Sequence, residues 1–366
     1  MILRRVRAGD FRNIENESVE FCEGANLLLG DNAEGKTNLL EAIYYFARGK
    51  SFRGAADKEL CRFGTQKYEI EAFFSANGRE QTLFYRYYNG MRQRKKNGVP
   101  VEKAGEMIGV FRAVLFFPEH LQLIKGSPAE RREFLNIAIS QIHPSYLSLY
   151  SSYVRVLENR NALLKAAQKG EYFDKEEFEI FSERLAGYAA AIAKERYRYV
   201  KEAAPAVEDI LSSLSGGREK VSVRYVSETE EEEESEMKKK YLEKMLSDIR
   251  RETAAGFTLF GAHRDDLVCE INGKSARDFA SQGQQRSLTL ALKLAEGEVC
   301  RQKCGEYPVF LFDDVMSELD PARRRFLLSE LSKRQLIMSA CEEGGLTGMQ
   351  ANTIRVKKGK YETVSL

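Results

Sequence analysis

The sequence lacks any apolar run approaching the ~18–20 residues that a bilayer-spanning helix needs, which excludes an integral membrane protein. The N-terminal segment lacks the uninterrupted apolar stretch of a secretory signal. None of the six cysteines belongs to a Cys-x-x-Cys pair, which favours reduced cytoplasmic thiols over a disulfide framework or a zinc site. Cys300 and Cys304 are spaced to share a helix face, but the three histidines are far away in sequence, so a metal site there is the weaker interpretation.

An excess of charge of either sign is missing as well. Lys and Arg number 57, Asp and Glu 55, and the net charge is +2. Bulk charge therefore neither supports nor excludes a nucleic-acid partner, which would need basic residues gathered locally. At 366 residues and 43% hydrophobic, the chain is expected to be globular, with two domains or one large split domain.

The first part of the chain has the pattern of strands with one helix. Ala25–Leu29 is an apolar run typical of a buried strand, and the residues from 37 to 48 have helical periodicity. Between residues 68 and 101, alternation is broken by Asn77-Gly78, Asn89-Gly90 and Asn97-Gly98. Asn-Gly favours the tight turn of a hairpin, so this stretch predicts an antiparallel meander.

The middle of the chain is helical in pattern, and α/β character then returns. Heptad-like spacing over 146–163 and 178–192, with a break near Gly170, predicts an antiparallel helical pair. Val309–Phe312 is apolar on both faces, as in a central strand of a covered sheet. We therefore predict an α/β head, made of residues 1–118 and 258–366 with a mixed sheet and the meander, and interrupted by a helical lobe over residues 119–257.

A phosphate loop is the strongest motif. Residues 30–37 fit Gly-x4-Gly-Lys-Thr between the predicted strand and helix. Its backbone N–H groups would cradle phosphate oxygens, Lys36 would reach the β- and γ-phosphates, and the Thr37 hydroxyl would bind Mg²⁺. The candidate nucleotide-binding residues here are Gly30, Asp31, Asn32, Ala33, Glu34, Gly35, Lys36 and Thr37.

Two acids follow the second buried strand. Asp313 and Asp314 stand at its carboxyl end, where open parallel sheets bind ligands. Asp313 is expected to hold Mg²⁺ with Thr37, and Asp314 to orient or deprotonate the attacking water. Alone, the acids would fit a strand that ends at the surface. Together with the phosphate loop they predict an ATPase with Lys36, Asp313 and Asp314 as catalytic residues.

Two further motifs resemble those of ABC-type ATPases. Ser281-Gln-Gly-Gln-Gln-Arg286, before a predicted helix, is similar to their signature motif, and Ser317-Glu-Leu-Asp320 to their D-loop. The resemblance implies an ABC-type ATPase head whose inserted helical segment is lobe II. It also implies that two such heads sandwich two ATP molecules, so that Ser281, Gly283 and Gln284 contact the nucleotide of the opposite protomer.

Within that class the chain resembles the RecF family of bacterial recombination and repair ATPases over nearly its whole length. The motifs that carry this resemblance are 10–13, 49–53, 117–119 and 263–266. Membership implies an ATP-dependent homodimer, ATP-dependent binding to duplex DNA and to single-strand/double-strand junctions, and slow hydrolysis. It also implies a cytoplasmic, nucleoid-associated protein that binds RecR and, with RecO, helps to load RecA at gaps.

The sequence departs from the family pattern at several places. His120 follows Glu119 where an acid is expected, and the identity of the Q-loop residue stays open between Glu119 and Gln122. Ser339-Ala340-Cys341 stands where relatives favour threonines, so the γ-phosphate sensor is open too. Asp314 occupies a place where most ABC ATPases carry Glu. Its shorter side chain predicts slow hydrolysis that acts as a timed clamp.

Basic residues in the meander are candidates for contact with DNA phosphates. Arg86, Arg92, Arg94, Lys95 and Lys96 occur without an acidic residue between them, although a charged hairpin edge explains them equally well. Arg131 and Arg132 are further candidates. No element that would read bases is visible, which predicts little sequence preference. A transporter ATPase subunit is disfavoured by the long insertion, and an SMC-like structural ATPase by the shortness of the heptad stretches.

Overall fold

The computed structural model describes residues 1–170, 174–229, 233–316, 319–332, 334–342 and 350–364, without the side chain of Leu121. Its strands are β1 Ile2–Phe11, β2 Ile14–Glu20, β3 Ala25–Leu29, β4 Lys67–Ala76, β5 Arg79–Tyr88, β6 Met91–Lys96, β7 Val99–Pro100, β8 Ala113–Phe116, β9 Val221–Val226, β10 Asp266–Ile271, β11 Lys274–Ser275, β12 Val309–Phe312, β13 Leu336–Ala340, β14 Ala351–Lys357 and β15 Lys360–Val364. Its α-helices are α1 Lys36–Arg48, α2 Asp57–Leu60, α3 Pro128–Ile142, α4 Ser145–Gln168, α5 Lys175–Ser215, α6 Glu234–Ser247, α7 Ile249–Ala255, α8 Ala276–Phe279, α9 Gln282–Cys304 and α10 Pro321–Leu331, with 3₁₀ turns over Ala104–Met107 and Pro118–Leu123.

A six-stranded sheet in the order β15-β14-β3-β13-β12-β8 carries the candidate site. β3, β8, β12, β13 and β14 run parallel, and β15 is antiparallel at the edge. Val309–Phe312 is buried throughout, which confirms the prediction of a central strand. Because parallel strands end on the same side, the residues that follow β3, β12 and β13 meet at one edge of the sheet.

The predicted meander is confirmed as part of a second sheet, in the order β2-β1-β4-β5-β6-β7. Asn77, Asn89 and Asn97 adopt φ of 49°, 47° and 51°, and the glycine after each is also left-handed. These are the backbone angles that a type I′ hairpin turn requires. The apolar side chains of α1 pack between the inner face of this sheet and the parallel sheet, so one core holds the head together.

The predicted helical pair is confirmed in α4 and α5. Gly170 adopts φ 74° directly after α4, and α5 then runs antiparallel to it for 41 residues. Small and apolar side chains on one face of α5, among them Leu185, Ala189 and Ala193, are fully buried against the other helices. Close packing through alanines explains how the long helix serves as the spine of this lobe.

A third sheet lies with the helices. β9 pairs antiparallel with β10, which in turn pairs with β11. Leu267 and Ile271 of β10 are buried in the same core as α4 and α5. The division into 1–118, 119–257 and 258–366 stays a proposal, and this pairing leads us to extend the inserted lobe through β11. In the described ranges, no helix combines the length and the apolar content of a membrane span.

Candidate nucleotide-binding site

The phosphate loop joins β3 to α1, as the sequence predicts. A Cβ at Gly30 would lie 2.3 Å from the carbonyl oxygen of Val356, so no side chain fits there. Gly35 has φ 121° and immediately precedes the first residue of α1. Without a side chain, Gly35 cannot cap the first N–H groups of the helix, which stay available for an anion. Each glycine of the motif therefore has its own structural reason.

Lys36 is folded back onto the loop. Its Nζ donates hydrogen bonds to the carbonyl oxygens of Gly30 at 2.5 Å and Asp31 at 2.9 Å, and lies 3.5 Å from Cys341 Sγ. The side chain is only 6% exposed. The ammonium is thus held at the mouth of the loop, where a phosphate can replace carbonyl oxygens as its partner.

Asp313 lies at the centre of a hydrogen-bonded group at the end of β12. Its Oδ1 accepts from Thr37 Oγ1 at 2.9 Å and from Ser339 Oγ at 2.8 Å, and Ser339 Oγ also accepts from the backbone N–H of Asp314 at 2.9 Å. Burial raises the pKa of Asp313, while the hydrogen bonds from Ser339 and Thr37 partly oppose that shift. A buried carboxylate beside a hydroxyl is a suitable donor set for Mg²⁺, a cation that favours oxygen ligands and takes the rest from phosphates and water.

Asp314 adopts φ 51°, a left-handed backbone that side chains other than glycine and asparagine seldom adopt. Its backbone N–H is fixed by Ser339, so the strain is held by a specific contact. Strained residues of this kind occur at functional sites, where a side chain must be aimed at a ligand. The position agrees with the predicted role beside the γ-phosphate.

These elements surround a cavity of about 910 Å³. Its lining residues are Asn32, Ala33, Gly35, Lys36, Thr37, Asn38, Phe52, Arg53, Phe117, Pro118, Glu119, Asp313, Asp314 and Ser339. Most predicted nucleotide ligands and the predicted catalytic residues thus meet in one space. Glu119 lines it and Gln122 is not among the lining residues, which favours Glu119 as the Q-loop residue.

The remaining members of the phosphate loop face its support. The carbonyl oxygen of Glu34 accepts hydrogen bonds from Asn13 Nδ2 at 3.1 Å and from the N–H of Gly359 at 2.8 Å. Tyr361 donates its hydroxyl to the carbonyl oxygen of Gly35 at 2.9 Å. Sequence reasoning missed the bracing by Tyr361 and Gly359, because no local pattern indicates which strand lies beside the loop.

The signature motif lies outside this cavity. Ser281 is the N-cap of α9: its Oγ accepts from Gln284 N at 3.2 Å, and Gln284 Oε1 accepts from Ser281 N at 2.9 Å. This is a capping box. Ser281 is exposed, and neither it nor Gly283 or Gln284 is among the cavity-lining residues. Of the predicted D-loop, Ser317 and Glu318 lie outside the described residues.

The basic residues of the meander do not form one patch. Lys95 lies opposite Phe84, and Arg86 opposite Gln93, on the outer face of the sheet. Arg94 lies opposite the buried Tyr85 on the inner face, with Arg92 and Lys96 in the same alternation. Arg92 forms an ion pair with Asp57, and Arg86 with Glu69 at 2.9 Å. The strand register divides a group that is continuous in sequence.

Arg131 has a structural role. Its side chain is 4% exposed, its Nε and Nη2 each lie 2.7 Å from a carboxylate oxygen of Asp266, and Nη1 donates to backbone carbonyls including that of Gly126. Contact with DNA would require breaking these bonds, so we withdraw Arg131 as a candidate. Arg132, half-buried, donates to the carbonyl oxygen of Asp265 at 2.8 Å, and burial lowers its pKa.

Comparison with known proteins agrees with this geometry. The family described as RecF/RecN/SMC N terminal domain matches residues 2–364. The "DNA replication and repair protein RecF" of Desulfitobacterium hafniense is 36% identical over 364 residues, which cover 98% of this chain and 99% of that protein. The chain belongs to the RecF family. The protein of the same name from Listeria monocytogenes is 37% identical over 365 residues, covering 98% and 99%.

Solved RecF structures share the whole fold. "Structure of the recombination mediator protein RecF-ATP in RecFOR pathway" has a TM-score of 0.92 at 34% identity and covers 100% of this chain and 98% of that one. The corresponding RecF-ATPrS structure has a TM-score of 0.93 at 33% identity, covering 99% and 98%. An Smc head domain from Pyrococcus furiosus, with a TM-score of 0.58 at 18% identity over 100% of this chain and 96% of that one, shares the fold alone. The predicted ABC-type head is confirmed, and this RecF-family chain is an ATP-binding ATPase of DNA replication and repair.

Proposed function

We propose that this RecF-family protein is an ATP-dependent homodimer that binds DNA during recombinational repair of single-strand gaps and restart of replication. One observation carries the proposal: Lys36, Thr37, Asp313 and Asp314 share a cavity, whereas Ser281 caps an exposed helix outside it. A second protomer would supply the signature motif to this nucleotide. The ABC sandwich explains both the completeness of one half and the exposure of the other.

The proposed chemistry is hydrolysis of the ATP γ-phosphate. Lys36 exchanges its carbonyl partners for phosphate oxygens, and Thr37 and Asp313 hold Mg²⁺, which when bound neutralises the charge of the β- and γ-phosphates. Asp314 orients the attacking water and accepts its proton. Positioning and charge stabilisation supply most of the rate enhancement in this class of reaction.

Hydrolysis is proposed to act as a timer for a clamp. The aspartate at position 314 is one methylene shorter than glutamate, and its backbone is already constrained by Ser339. A less ideally placed base slows the chemical step and extends the life of the dimer. We expect kcat with saturating DNA to stay well below ~10 s⁻¹, the usual enzyme median, and a higher value would refute the timer.

The proposed partners follow from the family. The relatives' name includes DNA replication and repair, and the titles of the solved structures describe a recombination mediator of the RecFOR pathway. We infer that this protein binds duplex DNA and its junctions with little sequence preference, binds RecR, and thereby assists RecO in loading RecA. A protein that repairs gapped DNA in this way would act at the nucleoid.

Sedimentation velocity with a non-hydrolysable ATP analogue and duplex DNA tests the proposal. We expect a monomer without nucleotide, a dimer with the analogue and a DNA-bound dimer with both. Ser281→Arg should keep ATP affinity but block dimerisation, because a long cation would stand where the opposite nucleotide binds. A Ser281→Arg protein that dimerises normally would contradict the sandwich arrangement.

A further inference from the structure

Arg323, near the start of α10, contacts the signature motif of its own chain. Its Nε donates to Ser287 Oγ at 2.8 Å, and its Nη2 donates to the carbonyl oxygen of Gly283 at 3.1 Å. Its Nη1 forms an ion pair with Asp320. The guanidinium thus joins the first turn of α9 to the last residue of the D-loop. Nothing in the sequence spacing indicates this contact.

Each partner of Arg323 is itself fixed in position. Ser287 Oγ donates to the carbonyl oxygen of Gly283 at 3.0 Å, so that oxygen accepts from both the hydroxyl and the guanidinium. Asp320 is the N-cap of α10, and its Oδ1 accepts from the N–H groups of Ala322 and Arg323, each at 3.0 Å. These bonds leave the link little freedom, because every rotation of Arg323 would break a charge-assisted contact.

The signature glycine is shaped to this contact. A Cβ at Gly283 would lie 3.3 Å from Arg323 Nη2, tighter than ordinary packing. Glycine at 283 therefore lets the guanidinium approach the helix, in addition to letting a nucleotide approach it in the proposed dimer. The side chain of Arg323 is 25% exposed, so most of the fork is covered by the elements that it joins.

We infer that Arg323 is a positioning residue that holds the signature motif and the D-loop as one rigid surface for the opposite protomer. The inference rests on the proposed ATP sandwich, in which both motifs face the same partner. Arg323 is not among the residues that line the nucleotide cavity of its own chain. Its loss should therefore affect dimerisation and leave the first binding of ATP intact.

The test separates ATP affinity from ATP-dependent dimerisation. For Arg323→Ala we expect monomer ATP affinity within about twofold of wild type and a dimer weakened by at least about tenfold, the loss of one charge-assisted contact. Arg323→Lys should restore little, because one ammonium cannot bond acceptors in several directions of a plane. Arg325→Ala, an exposed arginine on the same helix, is the matched control and should behave as wild type.

A second variant guards against misfolding of the first. Ser287→Ala removes the acceptor of Nε without changing charge, and we expect a smaller loss of dimer affinity that is not additive with Arg323→Ala. Wild-type protein that stays monomeric with ATP would refute the sandwich itself. Wild-type protein that dimerises, together with unchanged dimerisation in Arg323→Ala, or in Ser287→Ala if the alanine at 323 unfolds the chain, would overturn this inference alone.

Discussion

Thr37 donates its hydroxyl hydrogen bond to Asp313 across 2.9 Å and so joins the phosphate loop to the end of β12. The two residues are far apart in sequence and come from neighbouring elements of one sheet edge. The same carboxylate oxygen also accepts from Ser339 on β13. The site therefore holds a buried, hydrogen-bonded carboxylate before any cation is bound.

Asp313→Asn should stabilise the protein without nucleotide at neutral pH. Burial raises the pKa of Asp313, so the folded state binds the proton more tightly than the unfolded state does. The resulting stabilisation is present at low pH and is lost as the pH rises through the folded pKa. Because the Asn oxygen still accepts from Thr37 and Ser339, we expect Tm at pH 8 to rise by roughly 2 °C or more.

The pH profile distinguishes this cause from general effects. The gain in Tm should shrink as the pH falls towards the ordinary aspartate pKa, and the exposed Asp209→Asn control should show no such trend. Mg²⁺-dependent ATP hydrolysis should be lost in Asp313→Asn alone. An Asn variant that melts below wild type at pH 8 would show that the ionised carboxylate stabilises the fold.

Lys36→Ala should abolish measurable ATP binding. The lysine Nζ already lies at the loop, on the carbonyl oxygens of Gly30 and Asp31, and alanine removes its charge-assisted bonds to phosphate. We expect a loss of about 100-fold or more in affinity for a fluorescent ATP analogue. Lys58→Ala, at an exposed lysine on α2, should bind normally, and equal binding by both variants would disprove the assigned phosphate contact.

Cys341 should report on nucleotide binding through its reactivity. The thiol is exposed, 3.5 Å from Lys36 Nζ and 3.1 Å from Asn32 Oδ1. Phosphates in the loop would cover it, so ATP should slow its alkylation by a maleimide, as measured by peptide mass spectrometry. Cys22 is also exposed and precedes β3 at the opposite end of the sheet, so its labelling should not change.

Prior alkylation gives the converse result. A maleimide adduct on Cys341 should displace Lys36 and reduce ATP affinity, and Cys341→Ser should be resistant to this inactivation. Alkylation of Cys341 at the same rate with and without saturating ATP would contradict the placement of the nucleotide beside β13.

Local pattern was sufficient to predict much of this fold and site. A phosphate loop and an Asn-Gly turn each require particular residues at consecutive positions, so Gly30–Thr37 and the meander could be predicted from sequence. The acids after β12 could be predicted because strand ends determine where ligands bind. In each case the deciding physics acts over a few residues.

Long-range packing was not available from the pattern. The side of the sheet that Arg92 faces depends on its pairing with Tyr87, and the burial of Arg131 depends on Asp266 in a strand of another sheet. The bond from Arg323 to Gly283 likewise depends on how α9 and α10 meet. A charged residue looks the same in sequence whether it pairs internally or faces solvent.

Arg131→Ala should destabilise the protein and leave DNA affinity of the folded molecule unchanged. The substitution leaves Asp266 and a set of buried carbonyl oxygens without their donor. Removal of one partner of a buried ion pair costs about 3–5 kcal/mol, which urea unfolding would measure. Arg86→Ala breaks an exposed pair and should cost about 1 kcal/mol or less. A fully stable Arg131→Ala protein with weakened DNA binding would restore Arg131 as a DNA contact.

The outer and inner faces of the meander should respond differently to loss of charge. Arg86 and Lys95 lie on the outer face, where Lys95 Nζ is 5.5 Å from the centre of the Phe84 ring. The double variant Arg86→Ala/Lys95→Ala should weaken binding to duplex DNA in the presence of the ATP analogue. It should also lower the slope of log affinity against log salt by ~0.9 for each phosphate that the protein no longer neutralises.

Arg92→Ala is the matched inner-face variant. Its guanidinium pairs with Asp57, which is 7% exposed, so its loss leaves a buried carboxylate unpaired and should lower Tm while the salt slope stays at the wild-type value. Fluorescence anisotropy over a salt series measures both variants. A larger change of slope in Arg92→Ala than in the outer-face double variant would place the DNA on the inner side, because the slope reports the number of neutralised phosphates and is insensitive to the fraction of unfolded protein.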